Sequence, residues 1–424
     1  MNAIPSSSGA LVVGTGTAGL ATALALARQG ISVSLLGPRT PIPAATGDTC
    51  DPRVYAVSPA SQAFLARLGI WDLLPPERIA RIESMEVMGA APSTAPLHGG
   101  DTSSGSPVPA PSSNAGRIQL TAWQGNLPAL AWVVEGRELE RALRQAVGVL
   151  GVAWTQERFV SLGIGDPSAP LDVTTDSGRI LRTELAIGAD GAESPLRRAA
   201  GLSSHGSDYE AIGLVVHLDV EQPHQGVALQ WFTPDGVLAL LPMPDTTDGA
   251  QVSMVWSMDA TQANALLALP AAEQATALAA RLQRVAGDRV GRIRVRGPLH
   301  GFPLRVRSSN PMVAARIALV GDAAHLVHPL AGQGLNLGLG DAAGLAAAIA
   351  EREHFRRIGD LRVLRRYARA RAPALLAMRA ATDGLYRLFT PQDPLLGWVR
   401  NTGMALVDRL PPLKRALIAG ASTF

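Results

Sequence analysis

"ALVVGTGTAGLATALALARQGISVSLLG", residues Ala10 to Gly37, decides the fold. An apolar strand, Ala10 to Val13, meets glycines at 14, 16 and 19, an alanine-rich helix follows to Gln29, and a second apolar strand runs from Ile31 to Leu36. That order is the opening β-α-β unit of a doubly wound parallel sheet. Placed between strand and helix, Gly14, Gly16 and Gly19 form a dinucleotide fingerprint: they permit a tight turn and let a pyrophosphate approach the helix N-terminus. Such a unit ordinarily ends its second strand in an Asp or Glu that holds a ribose. Here that position is Gly37, so either a neighbour such as Asp48 or Arg39 substitutes or affinity for the dinucleotide is reduced.

Two further sites follow strands. Asp190-Gly191 closes the strand Ile180 to Ile187, and Gly321-Asp322 closes "RIALV", residues 316–320. Downstream, Gly332, Gln333 and Gly334 precede an apolar run to Ala350, so a helix start directs unpaired N–H groups and its positive dipole end at something electron-rich. That helix is apolar all round yet contains Asp341, which marks it as buried rather than membrane-spanning. Three strand-end sites imply one long, folded-over ligand. Neither later site matches GxGxxG, so a second dinucleotide would visit rather than reside.

The chain has 424 residues, 47% hydrophobic and 17% charged, which suits a globular protein of more than one domain. A net charge of +3 without a basic, aromatic-interleaved patch argues against nucleic acid. The lone Cys50 excludes an internal disulfide and a cysteine metal cluster. "MNAIPSSSG" has no basic n-region, and no apolar run approaches the roughly 20 residues of a membrane span. The expected location is cytoplasmic, with peripheral contact at an inner membrane surface as the variant. Arginine-rich "REHFRRIGDLRVLRRYARARAP" reads as a solvated, salt-bridged surface or a docking face.

Helix signals appear at Ser58 to Leu68, with Ser58 as N-cap and Pro59 at N1, and at Arg137 to Val147. Strands are expected at Val152 to Ile164, Leu171 to Thr175 and Ile180 to Ile187. Alternating patterns between about 208 and 305 predict an antiparallel sheet interrupted by a helix from Ala260 to Val285. Residues 89–116, rich in Ser, Pro, Gly and Ala, read as a flexible insertion. The expected division is a discontinuous nucleotide-binding domain (1–75, 125–200 and 301–350), a substrate domain (76–124 and 201–300), and a C-terminal helical region (351–424).

"VVGTGTAGLATALALARQG", "GADGAESPLRR" and "LVGDAAHLVHPLAGQGLNLGLGDA" resemble the three fingerprints of single-component FAD-dependent aromatic hydroxylases, the group A flavoprotein monooxygenases. "DPRVYAVSPASQAFLARLGIWD", "ALQWFTPDGVLALLPM" and "PPLKRALIAGA" narrow the resemblance to the ubiquinone-biosynthesis hydroxylases, over almost the whole chain outside 89–116. The resemblance implies an α/β fold: a Rossmann-type FAD-binding domain with an inserted, mainly antiparallel β-sheet substrate domain and C-terminal helices. It implies an NAD(P)H- and O2-dependent monooxygenase that hydroxylates a lipophilic, polyprenylated phenol through a flavin C4a-hydroperoxide, with NADPH or NADH as a transient reductant. A biosynthetic protein assembly or a membrane surface is the implied partner.

By position, Gly14, Gly16 and Gly19 would meet the pyrophosphate, and Arg53 and Arg137 the FAD phosphate or ribose. Gly321 and Asp322 would hold the ribitol side, while Asp190 and Arg197 would serve both FAD and NAD(P)H. Pro329, Gly332, Gln333, Gly334, Leu335 and Asn336 would lie against the isoalloxazine as the catalytic turn. The family commonly has Asn where this chain has Gly136. His325 and His328 lack metal spacing and read as structural residues, and Trp231 and Trp256 as either pocket lining or core. No metal is expected. A halogenase is disfavoured by the absence of WxWxIP. An accessory flavin-binding protein with weak or no catalysis is the alternative that Gly37 leaves open.

Overall fold

The computed structural model describes residues 7–43, 47–89, 116–166, 169–327, 333–389 and 410–422. The strand Ser7–Val13 lies at the centre of a sheet, parallel to Ile180–Gly188 on one side and Val33–Leu36 on the other. Ile317–Leu319 extends the sheet in parallel beyond the first, and Ala153–Thr155 beyond the second. Leu11, Val12, Leu35, Leu185 and Ile187 are fully buried. Apolar residues on both faces are what a parallel sheet covered on both sides requires. Four strands therefore deliver their following turns, at Gly14, Gly37, Asp190 and Gly321, to one carboxyl edge, where ligands bind in open α/β sheets.

The glycines at that edge divide their work. Gly14 has φ +111°, and a Cβ there would lie 2.1 Å from the Ala189 carbonyl oxygen; one on Gly19 would lie 2.2 Å from the Gly14 carbonyl oxygen. Both are glycine so that the helix Thr17–Ala27 can seat against the strands. A Cβ on Gly16 would meet nothing within 4 Å. Gly16 faces open space.

A second sheet has eight strands in the order His325–Leu326, Ile293–Ser309, Ser204–Val220, Gln251–Asp259, Gly236–Pro242, Val227–Thr233, Ser84–Met88, Arg117–Thr121. Pairing is antiparallel except between Val227–Thr233 and Ser84–Met88. Gly89 N donates to the Gly116 carbonyl at 2.8 Å, so the insertion leaves and re-enters at a closed hairpin end. The interior of that insertion lies outside the described residues. A small three-stranded sheet, Val54–Val57, Ala131–Glu135 and Ala80–Ile82, stands beside the cavity described below.

Several expectations shift. The helix expected from Ala260 to Val285 is two, Ala260–Leu267 and Ala271–Val290, because Pro270 disfavours helical backbone before it and supplies no N–H. The strand expected over Val152 to Ile164 is two: Ala153–Thr155, parallel to Val33–Leu36 at one edge of the first sheet, and Phe159–Gly163, antiparallel to Leu171–Thr175 in an antiparallel extension of it. Ile293–Ser309 crosses the boundary expected at residue 301 and stays paired with Ser204–Val220 as far as Ser309. Ser58 does cap Pro59–Arg67, accepting from Ser61 N at 3.2 Å. Trp231 and Trp256 are buried in the core between this sheet and the helices over 260–290, on the face away from the cavity.

Gln333–Ala350 packs along Thr17–Ala27, and Leu361–Phe389 packs on it in turn. Among the described residues no helix is long and apolar enough to cross a membrane. The glycine geometry yields a contrast measurable by thermal unfolding of the ligand-free protein. Gly19→Ala forces strand and helix apart and loses about 1–3 kcal/mol, as overpacked cores do, whereas Gly16→Ala stays within about 0.5 kcal/mol of the parent.

Candidate functional site

A cavity of about 1090 Å³ opens between the carboxyl edge of the parallel strands and one face of the second sheet. That is above the usual range of a small-ligand pocket, about 300–1,000 Å³. From the parallel sheet its wall receives Gly16, Thr17 and Ala18 at the first helix start, Gly321 and Asp322, and Gln333, Gly334 and Leu335. A helix's first amides have no carbonyl one turn earlier to bond. Those of Gln333 to Leu335 thus present donors and the positive dipole end to the cavity.

Arg53 and Arg137 join the wall through a knot of hydrogen bonds. The Asp51 carboxylate accepts from Arg53 N at 3.0 Å and Arg137 N at 2.7 Å, and Asp51 N donates to the buried Glu135 at 2.7 Å. Glu135 is further held by Arg78, whose Nε donates at 2.7 Å. The Gly136 departure has a steric reason: a Cβ there would lie 2.9 Å from the Tyr55 ring and 3.1 Å from the Arg53 carbonyl oxygen. Tyr55 lines the cavity, and burial raises its phenol pKa against the opposing pull of Arg53.

Asp322 is crowded by protein yet uncovered, its carboxylate accessible through the cavity. The crowding raises its pKa, opposed by His325 and Arg53. The turn that carries it is fixed from behind by Asp341. That fully buried carboxylate accepts from Gly321 N at 2.9 Å and Arg371 Nε at 2.8 Å, and lies 2.9 Å from His325 Nε2. His325 is therefore a structural partner.

Not every expected residue faces the cavity. Asp190 accepts from Ser194 Oγ and from Leu196 N at 3.0 Å, and burial raises its pKa. Arg197 donates to the Ala323 carbonyl at 2.8 Å and the Ala192 carbonyl at 2.7 Å, clasping the turns at Asp190 and Gly321 together. Neither side chain is in the wall; Ala189 and Gly191 are. Asn336 is fully buried: its Oδ1 accepts from Ser58 N at 3.0 Å and its Nδ2 donates to the Ala56 carbonyl at 2.9 Å. It anchors the helix start rather than facing a ring. Gly14 and Gly19 serve packing. Pro329, Gly332 and His328 lie outside the described residues. Asp48, a candidate substitute at Gly37, is instead bonded to Thr247, whose N donates at 3.0 Å.

The floor is one face of the antiparallel sheet. His300 sits opposite Val215, Val215 opposite Val255, Val255 opposite Ala239, and Ala239 opposite Gln230. All five line the cavity, an apolar stretch with a polar group at each end. Gln230 is 8% exposed, and its carboxamide has no hydrogen-bond partner among the described residues. Sequence alternation places such residues on a face but does not say which face a ligand meets.

These residues fit FAD. Gly16 leaves an opening where the fingerprint needs close backbone approach, and donors and arginines line the same wall as an apolar floor. Residues 8–382 match the FAD binding domain family. The chain is 32% identical to the ubiquinone hydroxylase UbiL of Rhodospirillum rubrum, over 97% of this chain and 88% of that one. It is 30% identical to the 3-demethoxyubiquinol 3-hydroxylase of Escherichia coli, over 95% of each. The fold also matches the crystal structure of p-nitrophenol 4-monooxygenase PnpA from Pseudomonas putida DLL-E4, with TM-score 0.73, 19% identity and 99% of each chain covered.

Asp341→Asn tests the support behind this wall. The carboxyl is buried, which raises its pKa, but His325 and Arg371 outweigh burial and hold it below the ordinary value. Its stabilisation is therefore present above the ordinary Asp pKa of about 3.9 and lost as pH falls through the lower, folded value. Removing the charge leaves Arg371 uncompensated, at a cost of about 3–5 kcal/mol at neutral pH. Denaturant unfolding at several pH values should show that deficit shrinking in acid. By its family match and its relatives the chain belongs to the FAD-dependent aromatic hydroxylases of ubiquinone biosynthesis.

Proposed function

We propose that this chain hydroxylates the aromatic ring of a polyprenylated phenol, using O2 and NADPH or NADH. One observation carries the reading: the nucleotide edge and a long apolar floor are walls of one continuous cavity. When bound, FAD supplies acceptance of hydride from the nicotinamide and activation of O2.

The protein's own part is positioning and exclusion. Gly16 to Ala18 would receive the pyrophosphate, and Arg53, Arg137 and Asp322 the phosphate, ribose and ribitol groups. The amides of Gln333 to Leu335, fixed in direction by Asn336 and Asp341, favour negative charge on whatever ring edge they meet and need no reorganisation to do so. Val215, Ala239, Val255 and Leu241 keep water from the reacting face and accept an apolar substrate. Gln230 offers a desolvated amide to a ring oxygen. A nicotinamide has no GxGxxG of its own here, which favours a reductant that visits and departs.

A lipophilic substrate also favours peripheral contact with a membrane or a partner protein. On the C-terminal helix Pro411–Ser422, Ile418 lines the cavity, while Leu413 and Leu417 are exposed. That helix packs against the turn Trp123–Gly125, whose Trp123 is 88% exposed. Such an apolar rim beside a lipophilic cavity suits a surface from which substrate enters.

The test is oxygen-isotope incorporation: purified protein, FAD, NADPH or NADH, labelled O2 and a prenylated phenol. The expected product gains one labelled oxygen on its ring. Nicotinamide oxidation that yields only hydrogen peroxide, at a rate indifferent to the phenol, contradicts the reading. Gln230→Leu should raise the KM for the phenol about fivefold, the worth of one neutral hydrogen bond, and leave FAD affinity unchanged.

A further inference from the structure

The second strand ends at Gly37, where this fold ordinarily places the acidic ribose ligand. The structure shows why no carboxylate stands there. Gly37 is buried with φ +147°, and a Cβ would lie 3.0 Å from Thr15 Cγ2. Thr15, inside the glycine fingerprint, donates from Oγ1 to the Pro38 carbonyl at 2.8 Å and is itself buried. The space is filled by a hydroxyl side chain already bonded to backbone. Gly37 is also absent from the cavity wall.

A carboxylate does reach the wall from the neighbouring helix. Glu140, on Gly136–Val149, lines the cavity alongside Gly16, Thr17 and Arg137. Its Oε1 accepts from Arg144 Nη2, whose Nη1 donates to the Thr40 carbonyl, three residues beyond Gly37. The Arg144 guanidinium also lies 5.7 Å from the centre of the Trp154 ring, with Arg39 at 5.2 Å from the same ring. Trp154 closes the loop by donating from Nε1 to the Gly37 carbonyl at 3.0 Å. Arginine stacking on an aromatic face fixes both partners. Glu140 is thus held at the end of the second strand by a bracket built on Gly37 itself, with Oε2 left to accept.

We infer that Glu140 is the ribose ligand of this chain: its carboxylate, positioned by Arg144 and Trp154, accepts the adenosine ribose hydroxyls of FAD in place of the missing strand-end acid. The inference rests on the FAD reading of the cavity. It assigns Arg144 a positioning role, and it assigns Arg39 to the bracket and not to the ribose.

The experiment is a cycle of FAD and its 2′-deoxyadenosine analogue against the parent chain and Glu140→Gln, read as Kd from flavin fluorescence on flavin-free protein. A hydrogen bond to a charged acceptor predicts that the parent binds FAD about tenfold more tightly than the deoxy analogue. In Glu140→Gln that preference should collapse toward unity, because the two changes remove the same contact. FMN, which lacks the adenosine, should bind parent and variant alike; a variant that merely misfolds would lose FMN too. Equal FAD-to-deoxy ratios in parent and variant overturn the assignment while leaving the FAD reading intact. A parent chain that binds no FAD overturns both.

Discussion

Asp341 is a fully buried carboxylate that holds three elements at once, and the cavity wall depends on it. It receives the amide of Gly321, the guanidinium of Arg371 and the near approach of His325. Through them it joins the strand-end turn at Gly321, the helix whose N-terminus faces the cavity and the long helix outside it. A charge taken out of water persists only where it is paired and hydrogen-bonded. The arrangement is therefore intolerant of small shifts, which suits a wall that must present amides and a carboxylate at fixed places. Tyr367, also fully buried, adds a hydrogen bond to the Leu319 carbonyl at 2.8 Å and seals the same junction.

The two halves of the cavity follow opposite rules. The nucleotide edge is polar, and most of its order comes from backbone: glycine turns, helix-start amides and Asp51 holding the amides of Arg53 and Arg137. The floor is side-chain surface from a twisted sheet, apolar along a row of adjacent strands, with Gln230 and His300 at its ends. A dry floor strengthens any polar contact made upon it, so few polar groups are needed. In the proposed reaction this one surface would both exclude water and orient the substrate.

Much of this was legible in the sequence, for local reasons. The β-α-β start, the Ser58 cap and the buried helix after Gly332 are written in spacing and capping that act over a few residues. The three strand-end turns were legible too, since strand and glycine signals are adjacent. What stayed hidden is the direction of side chains across long separations. Asp190, Arg197 and Asn336 look like ligand residues in a motif, yet each bonds within the protein. Glu140 looks like an exposed helical glutamate until the fold sets it beside Gly16. The break at Pro270 carries a visible signal, a proline inside a helical period.

The central claim is that this chain houses FAD in the cavity whose wall Gly16, Asp322 and the 333–335 amides share. Its most direct measurement is the visible absorption spectrum of the purified protein, followed by anaerobic addition of NADPH or NADH with and without a prenylated phenol. The account predicts a bound flavin spectrum that bleaches faster when the phenol is present. A colourless protein that takes up no added FAD would contradict it.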